Sequence, residues 1–207
     1  SNFIYNKDLN DPVIVEIGSF HVNGARQANK MFKNYKYIYY EASKYNYINL
    51  KKNIGALPNT YAFNYAVTDK NNEEIFHEFS KPKQNVSKNA ISASLFDRSI
   101  KEKKFKICEK YIVKCTTLSN ILLKNNLNKI DYLISNCEGG ELGFLTYIIK
   151  NPLISKKIPQ ICVALHPRIY GQDKCNYLLN ELKKIYNITQ NNSGKAFANE
   201  YYLLTLK

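Results

Sequence analysis

The sequence predicts an α/β fold in which helices cover both faces of a mostly parallel sheet. Short apolar runs typical of buried strands alternate with stretches that have helical periodicity. This alternation is typical of parallel strands joined by helical crossovers. The last two strand-like runs follow one another without an intervening helix, so we expect them to pair antiparallel. The sequence therefore predicts seven principal strands, the last two forming a C-terminal hairpin.

The first predicted strand has the clearest signature. Val13–Ile17 is an apolar run that follows a proline and is closed by Gly18, as expected for a strand buried on both faces. The other predicted principal strands are Tyr37–Tyr40, Tyr61–Val67, Ile130–Cys137, Gln160–His166, Asn187–Gln190 and Glu200–Leu206.

The predicted helices lie between these strands. Ser43 is a good N-cap for a helix that Gly55 and Pro58 end. The other predicted helices are Asn23 to Lys33, Leu118–Leu123, Glu141 to Lys150 and a helix capped by Asp173 that runs to Tyr186.

The stretch between the third and fourth principal strands has a different period. Glu74–Phe79 alternates like a hairpin or edge strand, Lys81 to Ala90 forms a polar loop, and Tyr111–Cys115 forms a short strand. We find no repeat and no linker, so residues 1–207 are expected to form a single domain.

The bulk composition is that of a globular protein. The chain has 207 residues, of which 44% are hydrophobic and 23% charged, a size that suits one α/β domain. No apolar run is long enough to cross a bilayer, and Ser1 to Pro12 lacks the pattern of a signal peptide. We therefore expect a soluble, cytoplasmic protein. The five cysteines are odd in number and lack CxxC spacing, which disfavours disulfides and zinc.

The net charge of +13 has two interpretations. It could indicate an acidic partner such as nucleic acid, a nucleotide-sugar or a membrane surface. It could also be compositional, because Lys, Asn, Tyr and Ile are abundant together and only Arg26, Arg98 and Arg168 are arginines. The lysines are spread along the chain, apart from the dense Lys101–Lys106. We favour the compositional interpretation, so nucleic acid is a possible but less favoured partner.

Candidate binding residues follow the first three strands, where an open α/β sheet binds ligands. Glu16-Ile17-Gly18-Ser19 leads into a helix whose N-terminal amides favour a carboxylate, although a glycine here can also serve only the turn. Glu41 lies roughly 20 residues further on, where a carboxylate can bind a ribose. Asn64 could hydrogen-bond an adenine edge or cap a turn.

A second polar cluster follows the fourth and fifth strands. Asn136, Glu138 and Glu141 lie beside two glycines, and His166 ends the next strand. Glu138 and His166 should point into one cleft, where either could act as a general base. We interpret Glu141 as a helix-capping residue that favours the N-terminal dipole.

These residues give the chain a resemblance to the FkbM-type family of S-adenosylmethionine-dependent methyltransferases. The likeness spans about Val13 to Arg168, with the family's segments in order. Its most specific segment runs from Ile130-Asp131 to Asn136-Cys137-Glu138-Gly139-Gly140-Glu141. The other matching segments are Glu16-Ile17-Gly18, Tyr40-Glu41-Ala42, Ala66-Val67-Thr68-Asp69, Ser92-Ala93-Ser94-Leu95, Thr117-Leu118-Ser119-Asn120-Ile121 and Leu165-His166.

The resemblance implies a Rossmann-like class I methyltransferase fold, S-adenosylmethionine as cofactor, and O-methylation of a hydroxyl on a sugar or hydroxylated metabolite. The residues it implies at the cofactor are Glu16, Gly18, Ser19, Glu41, Ala42, Asn64, Ala66 and Asn136. Glu138 and His166 are the implied catalytic residues facing the acceptor.

The chain departs from the family pattern at three places. Ser19–Asn23 lengthens the first glycine loop, Asn136 replaces the usual Asp, and Ser119-Asn120 replaces an Asp-Asp pair. Losing these carboxylates weakens the case for a divalent metal, which needs anionic oxygens. Two rivals remain: an RNA ribose methyltransferase, favoured by the charge, and a non-catalytic cofactor-binding module, favoured by Asn136.

Overall fold

The computed structural model describes residues 6, 8–19, 21–80, 93–99, 106–191 and 200–207. Ser92, the predicted polar loop at 81–90 and all but the last residue of Lys101–Lys106 lie outside these ranges. The strands are β1 (Val13–Ile17), β2 (Lys36–Tyr40), β3 (Thr60–Phe63), β4 (Ala66–Val67), β5 (Glu73–Ser80), β6 (Lys106–Thr116), β7 (Tyr132–Ser135), β8 (Gln160–Leu165), β9 (Tyr186–Asn191) and β10 (Glu200–Leu206). The helices are α1 (Asn23–Met31), α2 (Lys44–Ile54), α3 (Leu118–Lys124), α4 (Glu141–Lys150), α5 (Pro152–Ser155), α6 (Pro167–Tyr170) and α7 (Gln172–Ile185).

The principal sheet confirms the predicted architecture. Its seven strands have the order β3-β2-β1-β7-β8-β10-β9. The first five strands in this order run parallel to one another, whereas β10 pairs antiparallel with both β8 and β9. The C-terminal hairpin therefore lies at one edge of the sheet.

Alternating side chains on each strand enter separate cores on the two faces. On β1, Ile14 packs in the core under α1 and α2, whereas Val15 and Ile17 pack in the core under α3, α4 and α7. Helices thus cover both faces, as predicted, and the strands can be apolar almost throughout because neither face is solvated.

The strand order reverses between β1 and β7, which are neighbours although more than a hundred residues separate them. The Asn136 backbone N–H donates to the Ile17 carbonyl at 3.2 Å, so the loops after these two strands lie together. A crevice at such a reversal is where open α/β sheets bind ligands.

The predicted third strand, Tyr61–Val67, is wrong in its second half. β3 ends at Phe63, and Ala66–Val67 pairs instead with β6 in a separate three-stranded sheet of order β4-β6-β5. The Asn64 amide donates to the carbonyls of Glu41 and Ala42, which stabilises the chain where it leaves the main sheet. The prediction that Glu74–Phe79 forms a hairpin or edge strand is confirmed, because this segment lies in β5 at the edge of the small sheet and pairs antiparallel with β6.

Several other boundaries differ from expectation: β7 is two residues shorter at each end than the predicted Ile130–Cys137, and α1 ends two residues before the predicted Lys33. α7 begins at Gln172, and Gly171 rather than Asp173 is its N-cap, with no side-chain capping bond. β6 starts at Lys106, five residues before the predicted Tyr111. Among the helices in the described residues, none is both long and apolar enough to span a membrane.

Candidate active site

A cavity of about 560 Å³ lies at the carboxyl ends of β1, β2 and β7. Eight of the ten predicted site residues line it: Glu16, Gly18, Ser19, Glu41, Ala42, Ala66, Asn136 and Glu138. Asn64 and His166 are not among its lining residues.

Gly18 allows two loops to meet at the floor of the cavity. Its φ is +76°, a conformation that favours glycine, and a Cβ at this position would lie 2.6 Å from Cys137 Cβ and 2.8 Å from the Asn136 carbonyl oxygen. A side chain here would therefore push the β7 loop away from β1. The Gly18 backbone N–H donates to the Tyr40 carbonyl, which ties the turn to β2.

Glu16 faces the cavity beside the start of α1. Its Oε2 accepts from the Tyr37 hydroxyl at 2.5 Å, and burial raises the pKa of this carboxyl despite that bond. Gly24 makes room for the pair, since a Cβ there would overlap the Tyr37 hydroxyl. Ser19 lies beyond Gly18, where its hydroxyl donates to the His21 carbonyl at 2.8 Å.

Glu41 is a buried carboxyl at the end of β2, with 5% of its surface exposed. Burial raises its pKa to about 8, although the Ser43 backbone N–H donates to Oε1 at 2.7 Å. The nearby Glu78 raises the pKa further. The Asn46 side chain also hydrogen-bonds this carboxyl. A buried carboxyl can gain stabilisation from a ligand that supplies hydroxyl groups.

Asn64 was expected either to contact an adenine edge or to cap a turn. Both bonds of its amide nitrogen go to the backbone carbonyls of Glu41 and Ala42, at 2.8 and 3.0 Å. Its observed contacts are therefore those of a residue that supports the Glu41 loop.

The small sheet contributes residues that sequence reasoning missed. Phe76, Ala66 and Leu95, which packs against the small sheet, form an apolar part of the cavity wall. Glu78 on β5 is fully buried and accepts from the Ser43 hydroxyl and the Tyr111 hydroxyl, both at 2.6 Å. Burial raises the pKa of Glu78 as well. Its alternating strand was visible in the sequence, but nothing indicated that the strand reaches Ser43.

Glu138 has a left-handed backbone, with a φ of +48°. This conformation is uncommon outside glycine and occurs often at functional sites. Ser94 donates from its hydroxyl to the Glu138 carbonyl at 2.7 Å, and the Arg98 Nη1 atom lies 2.5 Å from Glu138 Oε2. Segment 93–99 therefore holds both the backbone and the carboxylate of Glu138.

Arg98 is the most informative residue that the sequence interpretation missed. Its side chain is 1% exposed, and the Arg168 Nη2 atom lies 3.9 Å from the same Glu138 oxygen. A buried guanidinium without a carboxylate is very costly, so Arg98 and Glu138 depend on each other. Forty residues separate them, although the small number of arginines was a usable signal.

His166 is fully buried behind Glu138 rather than exposed in the cleft. Its Nδ1 atom lies 2.8 Å from Glu141 Oε1, and its Nε2 atom lies 3.8 Å from Glu138 Oε2. Glu141 is also fully buried, so it does more than the helix capping expected of it. Among the described residues, no cluster of three or more acidic, histidine or cysteine side chains could hold a metal ion.

Comparisons with known proteins were made for both sequence and structure. A family model described as methyltransferase FkbM domain matches residues 12–192. A search of curated protein sequences found no match.

Similar solved structures include the METTL16 MTase domain, at a TM-score of 0.55 and 12% identity over 96% of this chain. The N-terminal domain of human METTL16 in complex with SAH has a TM-score of 0.51 and 12% identity, covering 98% of this chain and 64% of that one. SMU.1697c from Streptococcus mutans, also in complex with SAH, has a TM-score of 0.51 and 9% identity, covering 96% of this chain and 91% of that one. This chain spans 61% of the length of the first of these structures. At these identities the likeness shows a shared fold.

Proposed function

Because the chain belongs to the methyltransferase FkbM domain family, we propose that it transfers a methyl group from S-adenosylmethionine to a hydroxyl of a sugar or small hydroxylated metabolite. The carboxylate of Glu138 carries the proposal. It is held in the cavity wall by Arg98, on the same side of the sheet edge as the Gly18 turn. Methyl transfer to a hydroxyl oxygen needs a proton acceptor, and a carboxylate lining the cavity can serve as one.

The residues of the cavity fit S-adenosylmethionine. The Gly18 turn and the Glu41 carboxyl both line the cavity, and Phe76 and Leu95 offer an apolar wall to an adenine ring. Two structures of the same fold, human METTL16 and SMU.1697c, are complexes with SAH. When bound, the cofactor supplies a methyl group already activated by a sulfonium sulfur.

Glu41 is proposed to bind the two ribose hydroxyls, and Gly18 to let the backbone approach the cofactor. Glu16 and the N-terminus of α1 line the neighbouring part of the cavity, where a polar end of the cofactor can lie. Asn136 remains a candidate for orienting the cofactor or the acceptor, because an amide donates and accepts hydrogen bonds but is no base near neutral pH.

The cofactor assignment can be tested by calorimetric titration with S-adenosylhomocysteine. Glu41→Ala should weaken binding by about 1–3 kcal/mol, the range for a hydrogen bond to a charged group. Glu181→Ala is the matched control, because Glu181 lies on α7 in an exposed ion pair with Lys184. Equal weakening by the two variants would contradict the ribose role.

The acceptor class can be tested by screening sugars and hydroxylated metabolites with labelled cofactor. On an acceptor so found, Glu138→Gln should lower the transfer rate by about 10²–10⁴-fold, the usual range for general base catalysis. Its affinity for S-adenosylhomocysteine should stay close to that of the unmodified protein. Activity should also survive EDTA, since the proposal uses no metal. A full rate in Glu138→Gln would place the acceptor site elsewhere.

A further inference from the structure

Three side chains lead from the cavity into the interior of the protein. Glu138 lines the cavity, His166 lies behind it, and Glu141 lies behind His166 at the start of α4. Two of these three, His166 and Glu141, are fully buried.

The hydrogen bonds of Glu141 determine which ring nitrogen of His166 carries the proton. Oε1 of Glu141 accepts from the His166 backbone N–H at 2.9 Å, and Oε2 accepts from the Gly139 backbone N–H at 2.9 Å. These bonds are those of an acceptor, so His166 Nδ1, at 2.8 Å from Oε1, must be the donor. In a neutral imidazole, Nε2 then carries the lone pair.

The Nε2 atom of His166 is in an unusual position. It is buried, and no hydrogen-bond partner for it is present among the described residues. Buried polar atoms almost always have a partner, so an exception requires an explanation. Its nearest charged oxygen is Glu138 Oε2 at 3.8 Å, about 1 Å beyond hydrogen-bond distance. A small rotation about the terminal torsion of Glu138, which has a broad minimum, could close that gap.

On the basis of the proposed methylation of a hydroxyl, we propose that Glu138, His166 and Glu141 form a proton relay. The acceptor oxygen forms its bond to the methyl carbon while the carbon–sulfur bond breaks and its electron pair stays on sulfur. The hydroxyl proton goes to Glu138 and then to Nε2 of His166. Glu141 keeps Nδ1 protonated and faces the resulting imidazolium. His166 and Glu141 thus act through Glu138.

Charged groups from other elements also approach the three residues. Arg98 and Arg168 both approach Glu138 Oε2, with nitrogen–oxygen distances of 2.5 and 3.9 Å. A further polar neighbour is Tyr170 on α6, whose hydroxyl accepts from the His166 backbone N–H at 3.2 Å.

The relay predicts a ring-nitrogen signature that needs no acceptor. In ¹⁵N NMR of the complete chain near neutral pH, His166 should show a protonated Nδ1 and an unprotonated Nε2. His166→Gln identifies the signals, because the chain has only three histidines. A protonated Nε2 in the unmodified protein would overturn the proposal.

Glu141→Gln tests the positioning role of Glu141, with Glu181→Gln as the matched control. The Glu141 variant should lose the preference for Nδ1 protonation, whereas the control should keep it. S-adenosylhomocysteine affinity checks that the variant is folded. If Glu141→Gln does not fold, His166→Gln, checked in the same way, gives a second route.

Transfer rates separate the relay from the proposed function on which it rests. With a hydroxyl acceptor, Glu141→Gln and His166→Gln should each lower the rate on the order of 10²-fold or more. Full rates in both variants, with Glu138→Gln inactive, would overturn the relay and leave the O-methylation intact. Methylation only of nitrogen or carbon acceptors would overturn the proposed function, while the NMR result would still decide the tautomer.

Discussion

Gly18 shows how one residue can control the contact between two strand ends. Its φ of +76° costs an alanine about 1–2 kcal/mol, and its Cβ would lie 2.6 Å from Cys137 Cβ. The added Cβ would also overpack the contact with the β7 loop. We therefore expect Gly18→Ala to lower the free energy of unfolding by about 2–4 kcal/mol and to abolish cofactor binding. Denaturant unfolding and calorimetric titration measure the two effects.

The control for this substitution is Gly55→Ala. Gly55 has a right-handed backbone, and a Cβ at this position would approach no atom closer than the Lys52 carbonyl oxygen at 3.9 Å. Stability there should change by less than about 1 kcal/mol. If Gly18→Ala were as mild as Gly55→Ala, the close contact between the β1 and β7 loops would not be essential.

Glu41 should make cofactor binding depend on pH. Its pKa is raised to about 8 in the free protein, and ribose hydroxyls donate to the ionised form, so binding lowers the pKa and releases a proton. Affinity for S-adenosylhomocysteine should therefore rise with pH between about 6 and 8 and then level off, by up to about tenfold per pH unit. Calorimetry in two buffers of different ionisation enthalpy measures the released proton.

Glu41→Gln is the control that isolates this effect, because Glu16 and Glu78 also have raised pKa values nearby. The Glu41→Gln variant should bind S-adenosylhomocysteine more weakly, and its affinity should no longer rise with pH. In the free protein, the contribution of Glu41 to the free energy of unfolding should fall as pH rises from about 4.5 to about 8. The folded state holds the Glu41 proton more tightly than the unfolded chain does. Glu41→Gln should thus be relatively more stable at about pH 8. An unchanged slope in the variant would assign the pH dependence to other groups.

Among single residues, the sequence predicted the site residues that come directly after a strand. Gly18, Glu41 and Glu138 could be predicted because each follows an apolar run at the edge where parallel strands end. Arg98 and Glu78 could not, since both lie in the stretch between the principal strands, where no pattern fixes their distance from the cavity. The buried position of His166 depends on the approach of α4, which the sequence did not indicate.

Among the elements, the β5–β6 hairpin is coupled to α2 through Ser43. The Ser43 hydroxyl caps α2 by accepting from the Asn46 N–H at 3.2 Å, and it donates to Glu78 at 2.6 Å. Ser43→Ala should lower the free energy of unfolding by about 2–4 kcal/mol, because it removes a cap and leaves a buried carboxyl with fewer donors. Denaturant unfolding measures the loss.

Thr117→Ala supplies the comparison, because Thr117 caps α3 through the Asn120 N–H without binding a carboxylate side chain. It should cost only about 1 kcal/mol. The difference between the variants should shrink at acidic pH, where Glu78, whose pKa burial raises, is protonated. Equal losses at every pH would mean that the contact between Ser43 and Glu78 contributes nothing beyond capping.

The third strand illustrates why element boundaries were harder to predict than element types. Tyr61–Val67 is apolar throughout most of its length, so its periodicity gives no reason to end a strand at Phe63. The break depends on Asn64 binding the carbonyls of Glu41 and Ala42, and on Ala66–Val67 finding a partner in β6. Both are contacts between segments distant in sequence, which local patterns do not encode.

For the molecule as a whole, the parallel sheet with its antiparallel C-terminal hairpin was predictable because alternation of strands and helices leaves few topologies. The surroundings of Glu138 were not predictable, because they combine residues from segment 93–99, the β7 loop and α6. The net charge of +13 is likewise a property of the whole chain, and it bears on whether the acceptor is a polyanion.

Two of the three arginines, Arg98 and Arg168, approach Glu138 rather than forming a separate phosphate site. The exposed lysines Lys106, Lys110 and Lys114 lie at every fourth position of β6, on one face of the strand, and form a regular basic row. If the charge is compositional, generic RNA should bind weakly, and binding should vanish by physiological salt. Fluorescence anisotropy over a salt series measures both the affinity and the salt slope.

Replacing these three lysines by Gln tests whether the β6 row is an RNA-binding surface. The matched control replaces Lys51, Lys52 and Lys156, which are exposed on other elements. A compositional charge predicts that the two triple variants weaken RNA binding equally, because each removes the same charge without a specific phosphate contact. A selective fall of the salt slope by about one per lysine in the β6 variant, with sub-micromolar affinity at physiological salt, would instead favour an RNA acceptor.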